Sequence, residues 1–202
     1  MDTNKHECFS TEQRSRGFTL IELLVVIAII AILLGLVFSV GPGVLDRAKK
    51  VQAKNDLTQI VTAVNAFYTE YGRYPIDSTI TTDAAATFGA GGSTSKSVLD
   101  ELRAKSTSLN TRQIVFISPP EDATQASPKG KIGSDGQFHD PWGSAYAFEI
   151  DANYDNQVAN PYGSTGGAGA DPIRQGIVAW SLGKDKTKTT TFTGSDDVIS
   201  WQ

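Results

Sequence analysis

A chain of 202 residues with a formal net charge of -4 has room for one moderate domain beside an extended segment. With this mild charge, no strongly basic face argues for nucleic acid, so no nucleic-acid partner is expected. Cys8 is the single cysteine and lies close to the N-terminus. One cysteine excludes a disulfide framework and a cysteine-based metal site.

The first element is an apolar run over residues Phe18–Val40, in which Glu22 is the only ionisable side chain. A helix needs about 20 apolar residues to cross the hydrocarbon core of a bilayer, so the run predicts one membrane-spanning helix. An ionised carboxylate inside the membrane costs roughly 2.5–3.5 kcal/mol unless it is paired or reaches the interface. Two arginines precede Glu22, but an α-amino group on Phe18, created by cleavage after Gly17, would be the cation best placed to pair with it.

The string Arg16-Gly-Phe-Thr-Leu-Ile-Glu22 resembles, residue for residue, the signature of the type IV pilin-like precursors. The resemblance implies that a prepilin peptidase cleaves between Gly17 and Phe18 and that Phe18 is N-methylated. It also implies that Glu22 pairs with the N-terminus of a neighbouring subunit during assembly. Residues 1–17 would then be a cleaved prepilin leader, and residues 18–43 a transmembrane helix that later forms the filament core.

Two other interpretations of this segment are an ordinary signal anchor, in which Glu22 reaches the interface, and a cleaved secretory signal peptide. The apolar region of a signal peptide has about 7–15 residues and ends in small residues. The run here is longer and ends in Gly41-Pro42-Gly43. Basic residues after the run outnumber those before it, so the cytoplasmic position of the N-terminus is implied by the resemblance and not by the charges.

Residues 44–74 predict an amphipathic helical stem whose apolar face should cover a sheet. The apolar side chains recur mainly at spacings of three and four: Val44, Ala48, Val51, Leu57, Ile60, Val61, Val64, Phe67, Tyr68 and Tyr71. Pro42 lacks a backbone donor, so we expect a kink or local unwinding before the stem. Gly72 and Pro75 predict the end of the helix.

Residues 75–202 predict a globular head with loop insertions and a C-terminal β-sheet. Short helices are expected near Asp83–Phe88 and within Ser97–Lys105, and a strand or extended segment at Ile114–Ile117. Alternation over Ala145–Ile150 predicts a half-buried strand. The fold class is therefore α+β and pilin-like: a long N-terminal helix, membrane-spanning in its first half and amphipathic in its second, packs on a small antiparallel sheet.

Three further segments resemble the major pseudopilin of type II secretion. They are Asp140-Pro-Trp-Gly with Tyr146, the strand Gly176–Asp185 that ends in Ser-Leu-Gly-Lys-Asp, and the acidic, tryptophan-containing Asp196–Trp201. Residues 76–135 and 151–175 have no clear counterpart and look like insertions. The stretch Asn153–Ala170, rich in glycine and asparagine, predicts a flexible loop.

The C-terminal loop is the one candidate ligand site, because Ca²⁺ takes six to eight oxygen ligands and suits a loop that folds back on itself. The resemblance implies that Asp185, Asp196, Asp197 and the carbonyl of Leu182 bind calcium there. Three lysines flank Asp185 and would weaken a cation site, so a solvated acidic turn is the alternative. His139 has no second histidine or cysteine for a metal site or triad, and no catalytic motif is present, so we expect no enzyme.

The resemblance implies a structural subunit of a periplasmic pseudopilus in a type II protein secretion system, assembled into a helical filament that drives protein export. Expected partners are identical subunits, minor pseudopilins, the prepilin peptidase, the inner-membrane secretion platform and membrane lipid. The protein would cross the bacterial inner membrane once, with the head in the periplasm. Alternatives are a type IV pilin of a surface fibre, which commonly has a C-terminal disulfide loop, and a membrane-anchored binding domain or enzyme.

Overall fold

The computed structural model describes residues 17–202, except for the side chains of the helical residues 36–42. The rest of the predicted leader, with Cys8 and His6, lies outside the described residues. The chain divides into two compact units, one reaching to Leu45 and the other spanning Asp46–Gln202. The second unit contains the head.

Helix α1 spans Leu20–Tyr71. It continues through residues 41–43, so the local unwinding expected at Pro42 is not seen. One missing backbone donor is a local defect that the neighbouring turns can tolerate. The helix ends where it was predicted to end, because Gly72 has a φ of +68° and its N–H bonds the Tyr68 carbonyl at 2.8 Å.

A helix that crosses a membrane must be both long enough and apolar enough for the hydrocarbon core. In the part of the chain that the structure describes, no helix combines the length and the apolarity needed to cross a membrane. The predicted membrane-spanning first half of α1 is therefore not supported by the structure.

The stem part of α1 is buried along one face from Ala53 onward. The buried residues on this face are Ala53, Asp56, Leu57, Ile60, Ala63, Val64 and Phe67. Val44, Val51 and Tyr68 are exposed, so the predicted apolar stripe was wrong at these positions. Val44 and Val51 are uncovered because the hydrophobic cluster of the head includes α1 residues only from Ala53 onward. Tyr68 lies within the covered part of α1 but is not part of this cluster, and its ring stacks on that of Tyr74 with the ring centroids 4.7 Å apart.

Among the described residues the head contains six short strands: β1 (Thr87–Phe88), β2 (Glu121–Asp122), β3 (Ile132–Gly133), β4 (Ala147–Ile150), β5 (Ile177–Ser181) and β6 (Val198–Ile199). Strands β1, β4, β5 and β6 form an antiparallel sheet in that spatial order, and β2 pairs with β3 in parallel. A 3-10 helix spans Asp83–Ala86, and α2 spans Lys96–Leu102. The predicted α+β class, a long N-terminal helix packed with a small antiparallel sheet, is confirmed.

Both faces of the four-stranded sheet are buried. The inner face packs with the stem and carries Phe88, Phe148, Ile150, Ile177 and Ala179. The outer face carries Ala147, Val178, Trp180 and Ile199, and it is covered by the side chains of Val158, Tyr162, Ala168 and Ile173. The half-buried pattern predicted for β4 was therefore wrong, because the stretch 151–175 packs over the outer face.

No strand forms at residues 114–117. The N–H groups of Phe116 and Ile117 instead bond the carbonyl oxygen of Leu102, at 2.8 Å and 3.3 Å. This segment therefore follows the end of α2 and adds no strand to a sheet.

Candidate functional site

The predicted processing site lies immediately before α1. Gly17, Phe18 and Thr19 precede the helix and are exposed, and the Phe18 side chain is 76% accessible. Gly17 and Phe18 therefore lie outside regular structure, before the first turn of the helix. Cleavage between them stays a prediction.

Glu22 belongs to a capping box at the start of α1. Its Oε2 accepts hydrogen bonds from the backbone N–H of Thr19 at 2.8 Å and from the Thr19 hydroxyl at 2.7 Å. In return, the Thr19 Oγ1 accepts the N–H of Glu22 at 3.3 Å. These reciprocal bonds satisfy backbone donors that a helix N-terminus leaves free. Glu22 thus has a local role that was missed, although the Thr-x-x-Glu spacing signals it.

The three predicted calcium carboxylates meet in the C-terminal loop. One carboxylate oxygen each from Asp185, Asp196 and Asp197 lies within 4.8 Å of the other two. The turn after β5 brings them together, because Gly183 has a φ of +66° and a Cβ at that position would lie 2.5 Å from the Asp196 carbonyl oxygen. Only glycine fits such a close approach with a left-handed backbone. Leu182 is half-buried in this turn.

The hydrogen bonds of this loop leave one buried acceptor free. Asp196 Oδ2 accepts the N–H groups of Lys184 and Asp185. Asp197 is 5% exposed, its Oδ2 accepts the Tyr162 hydroxyl at 3.0 Å, and its Oδ1 has no hydrogen-bond partner among the described residues. Burial raises the pKa of Asp197, and the charges of Asp196 and Asp185 add to this effect. A cation bound here would give Oδ1 a partner and offset the repulsion.

Two of the three flanking lysines are engaged elsewhere. The ammonium group of Lys184 pairs with Asp46 at 2.9 Å, and that of Lys188 donates to the carbonyl of Pro161 at 2.9 Å. The carboxylates therefore do not have these lysines as hydrogen-bonded partners. The donor set of the loop, three carboxylates with one unpartnered buried oxygen, fits a hard divalent cation.

A second group of carboxylates, Asp83, Asp151 and Asp155, was not singled out from the sequence, although the Asp-x-Asn-x-Asp spacing of residues 151–155 was the available signal. Asp151 accepts the N–H groups of Asp155 at 3.2 Å and Asn156 at 2.7 Å. Asp83 accepts the N–H of Ala152 at 2.8 Å. These bonds close the loop on itself, so the carboxylates of Asp83 and Asp151 already have backbone donors.

His139 forms an isolated antiparallel bridge with Ala145. The ring is buried, and Nε2 lies 3.1 Å from a carboxylate oxygen of Asp135. This pair holds together the turn before the Asp-Pro-Trp-Gly segment.

Buried carboxyl groups join the stem to the Asp-Pro-Trp-Gly turn. Tyr146 donates its hydroxyl to Asp56 Oδ2 at 2.8 Å, which links the head to α1. Asp140 accepts the N–H groups of Trp142 and Ser144, both at 2.9 Å, and the hydroxyl of Ser181 at 2.7 Å. Burial raises the pKa values of both Asp56 and Asp140. The turn is therefore a structural junction.

Comparison with known proteins bears on the N-terminal region. Residues 13–38 match the family model described as the prokaryotic N-terminal methylation motif. The chain carries this motif. The match includes Gly17, Phe18 and Glu22, and it confirms the resemblance to type IV pilin-like precursors in this region.

Two curated relatives share a segment of similar length. The type IV major pilin protein PilA of Myxococcus xanthus (strain DK1622) is 43% identical over 61 residues, which are 30% of this chain and 28% of that protein. The type II secretion system core protein G of Dickeya chrysanthemi is 36% identical over 64 residues, which are 32% of this chain and 42% of that protein. The chain thus matches less than half the length of either relative. No solved structure matches it.

Proposed function

We propose that this chain is the precursor of a structural subunit of the pseudopilus in a type II protein secretion system. A prepilin peptidase cleaves between Gly17 and Phe18 and methylates the new N-terminus. The mature subunit joins identical subunits and minor pseudopilins in a helical filament on the inner-membrane secretion platform. The methylation motif over residues 13–38 supports a processed, pilin-like subunit, and the similarity to type II secretion system core protein G supports the pseudopilus.

We further propose that Phe18–Val40 anchors the subunit in the bacterial inner membrane before assembly, with the N-terminus in the cytoplasm and the head in the periplasm. The support is the apolar sequence and the exposure of its side chains from Leu20 to Leu34. So many exposed apolar side chains need lipid or neighbouring helices to cover them.

The first experiment is intact mass and N-terminal sequencing of the protein purified from its native membrane. Cleavage and methylation give a chain that begins at Phe18 and is heavier than the unmodified peptide by one methyl group. An uncleaved leader in cells with active prepilin peptidase would contradict the proposal and return the protein to the class of membrane-anchored domains.

The charge of Glu22 is proposed to draw an incoming subunit to the position where this carboxylate meets a cationic N-terminus. Glu22→Ala should spare processing and impair assembly. Glu22→Gln is the matched control, because glutamine can also complete a capping box but carries no charge. If the charge acts, both variants lose filaments, as measured by filament yield after shearing. Normal yield from Glu22→Gln would show that only the cap matters.

A surface fibre of the type IV pilus is the second candidate. The observation in its favour is the greater identity to the major pilin, 43%, than to core protein G, 36%. Against it, the sequence has no cysteine after Cys8 to form a C-terminal disulfide loop. Deleting the gene separates the two candidates: loss of exported proteins from the medium supports a pseudopilus, and loss of surface fibres supports a pilus.

We also propose that the loop containing Asp185, Asp196 and Asp197 binds Ca²⁺. Its support is the convergence of the three carboxylates and the unpartnered, buried Oδ1 of Asp197. A ligand at about 100 times its Kd adds roughly 2.7 kcal/mol to the free energy of unfolding. Calcium should therefore raise the Tm of the wild type relative to chelator.

Asp197→Asn should reduce this calcium-dependent rise in Tm. Asp155→Asn, in the second carboxylate group, is the matched control and should leave the rise intact. Equal losses in the two variants, or no rise in the wild type, would refute calcium binding at this loop.

A further inference from the structure

Lys54 lies on the part of α1 that packs against the head, and its ammonium group bonds the chain at the end of β6. Nζ donates to the carbonyl oxygens of Ile199 at 2.7 Å and Ser200 at 3.2 Å, and also to a main-chain oxygen of Gln202. Within residues 17–202, Lys54 forms no ion pair with an Asp or Glu side chain. Main-chain oxygens therefore take the place of an acidic side chain.

The hydrogen bonds of Lys54 match what an ammonium group can donate. Such a group has three donors and no acceptor, and here three main-chain oxygens receive them. Lys54 is half-buried, and desolvation lowers its pKa. Burying a charged group is costly unless its hydrogen bonds are made. The Lys54 ammonium therefore needs these three bonds, and they in turn hold residues 199–202 in place.

The segment that Lys54 contacts, residues 199–202, follows shortly after Asp196 and Asp197, two of the carboxylates proposed to bind calcium. Strand β6 begins at Val198, next to Asp197, and pairs with β5 through Val198 and Ser181 and through Ile199 and Trp180. The Ser200 N–H bonds the Ala179 carbonyl of β5 at 2.9 Å, while the Ile199 carbonyl, on the opposite edge of β6, accepts from Lys54. This double attachment fixes the main chain two residues beyond Asp197.

We propose that Lys54 is a positioning residue for the C-terminal loop, through which α1 and the calcium site are coupled. The inference rests on the calcium proposal above. By positioning the chain after Asp197, Lys54 keeps the Asp196 and Asp197 carboxylates near that of Asp185. Because coupling between two sites is reciprocal, calcium should also strengthen the attachment of this chain to α1.

The test compares calcium affinities of the full-length protein in detergent, measured by isothermal titration calorimetry. Lys54→Met removes the three bonds, whereas Lys50→Met removes an equal charge one turn earlier. The Lys50 side chain makes no hydrogen bond or ion pair in the described part of the chain, so Lys50→Met controls for the change in charge. Supporting side chains around metal sites typically change affinity 10–100-fold when they are replaced. We expect Lys54→Met to bind calcium on the order of tenfold more weakly than Lys50→Met.

Lys54→Arg keeps the charge and donors, and it should restore affinity to near that of the wild type. Equal affinities of Lys54→Met and Lys50→Met would overturn the positioning role.

A second measurement separates failure of this inference from failure of the calcium proposal. Hydrogen exchange of the amides over residues 198–202, measured without calcium, should be faster in Lys54→Met than in Lys50→Met. If the wild type binds no calcium, the calcium proposal fails and the coupling with it, yet faster exchange would still show that Lys54 holds this chain. Unchanged exchange in Lys54→Met would overturn the attachment itself.

Discussion

Replacing Tyr146 by phenylalanine isolates the buried hydrogen bond that joins the head to α1. Tyr146 is 1% exposed and Asp56 is 9% exposed, so water does not replace the lost hydroxyl. A hydrogen bond to a charged group contributes about 1.5–3 kcal/mol, and the aromatic ring still packs against Phe138 in the variant. We expect Tyr146→Phe to lower the free energy of unfolding by about 2 kcal/mol and the Tm by about 4–8 °C.

The assay is urea unfolding of the full-length protein in detergent, followed by tryptophan fluorescence. Tyr68→Phe is the matched control, because Tyr68 is 39% exposed and its hydroxyl makes no hydrogen bond within the described residues. The midpoint should fall for Tyr146→Phe at an unchanged m-value, and it should stay near the wild-type value for Tyr68→Phe. A loss of about 0.5 kcal/mol or less in Tyr146→Phe would refute the reasoning, since that is the size of an ordinary surface effect.

Two further predictions concern buried charge and the turn after β5. Burial raises the pKa of Asp56, so its stabilising contribution is present at low pH and lost as the pH rises through the raised pKa. Asp56→Asn should remove that part of the decline in unfolding free energy as the pH rises above about 4, the ordinary pKa of an aspartate, and a decline parallel to the wild type would contradict this. Gly183→Ala should cost about 1–3 kcal/mol and abolish the calcium-dependent rise in Tm, because its Cβ would overlap the Asp196 carbonyl. Gly163→Ala, with a φ of +65° and open space around the new Cβ, isolates the backbone strain, so equal losses would rule out the overlap.

Local signals predicted the features that depend on neighbours in the chain. Gly72 ends α1 because a left-handed residue was needed there, and adjacent residues determine this feature. Strand β5 and the meeting of Asp185, Asp196 and Asp197 were predicted through the resemblance to pseudopilins, because residues distant in the chain must come together to form them.

Features that depend on burial by segments distant in the sequence were missed. Val51 continues the apolar stripe of the stem but is exposed, because helical periodicity does not tell where the head begins to cover a helix. The alternation in β4 indicates which residues share a face, but it does not reveal that a later segment buries the other face. The capping role of Glu22 was missed for a different reason, because its charge was interpreted through the membrane and the Thr19 hydroxyl three residues earlier was not considered.

The layer of loop over the outer face of the sheet limits how this head can be shortened. Val158, Tyr162, Ala168 and Ile173 supply the apolar contacts that keep Val178 and Trp180 dry. A chain without residues 153–170 would expose the hydrophobic outer face of the sheet to water and would tend to associate with other heads through this face. This segment is thus part of the hydrophobic core of the head, and its loss would have to be matched by polar replacements on β4 and β5.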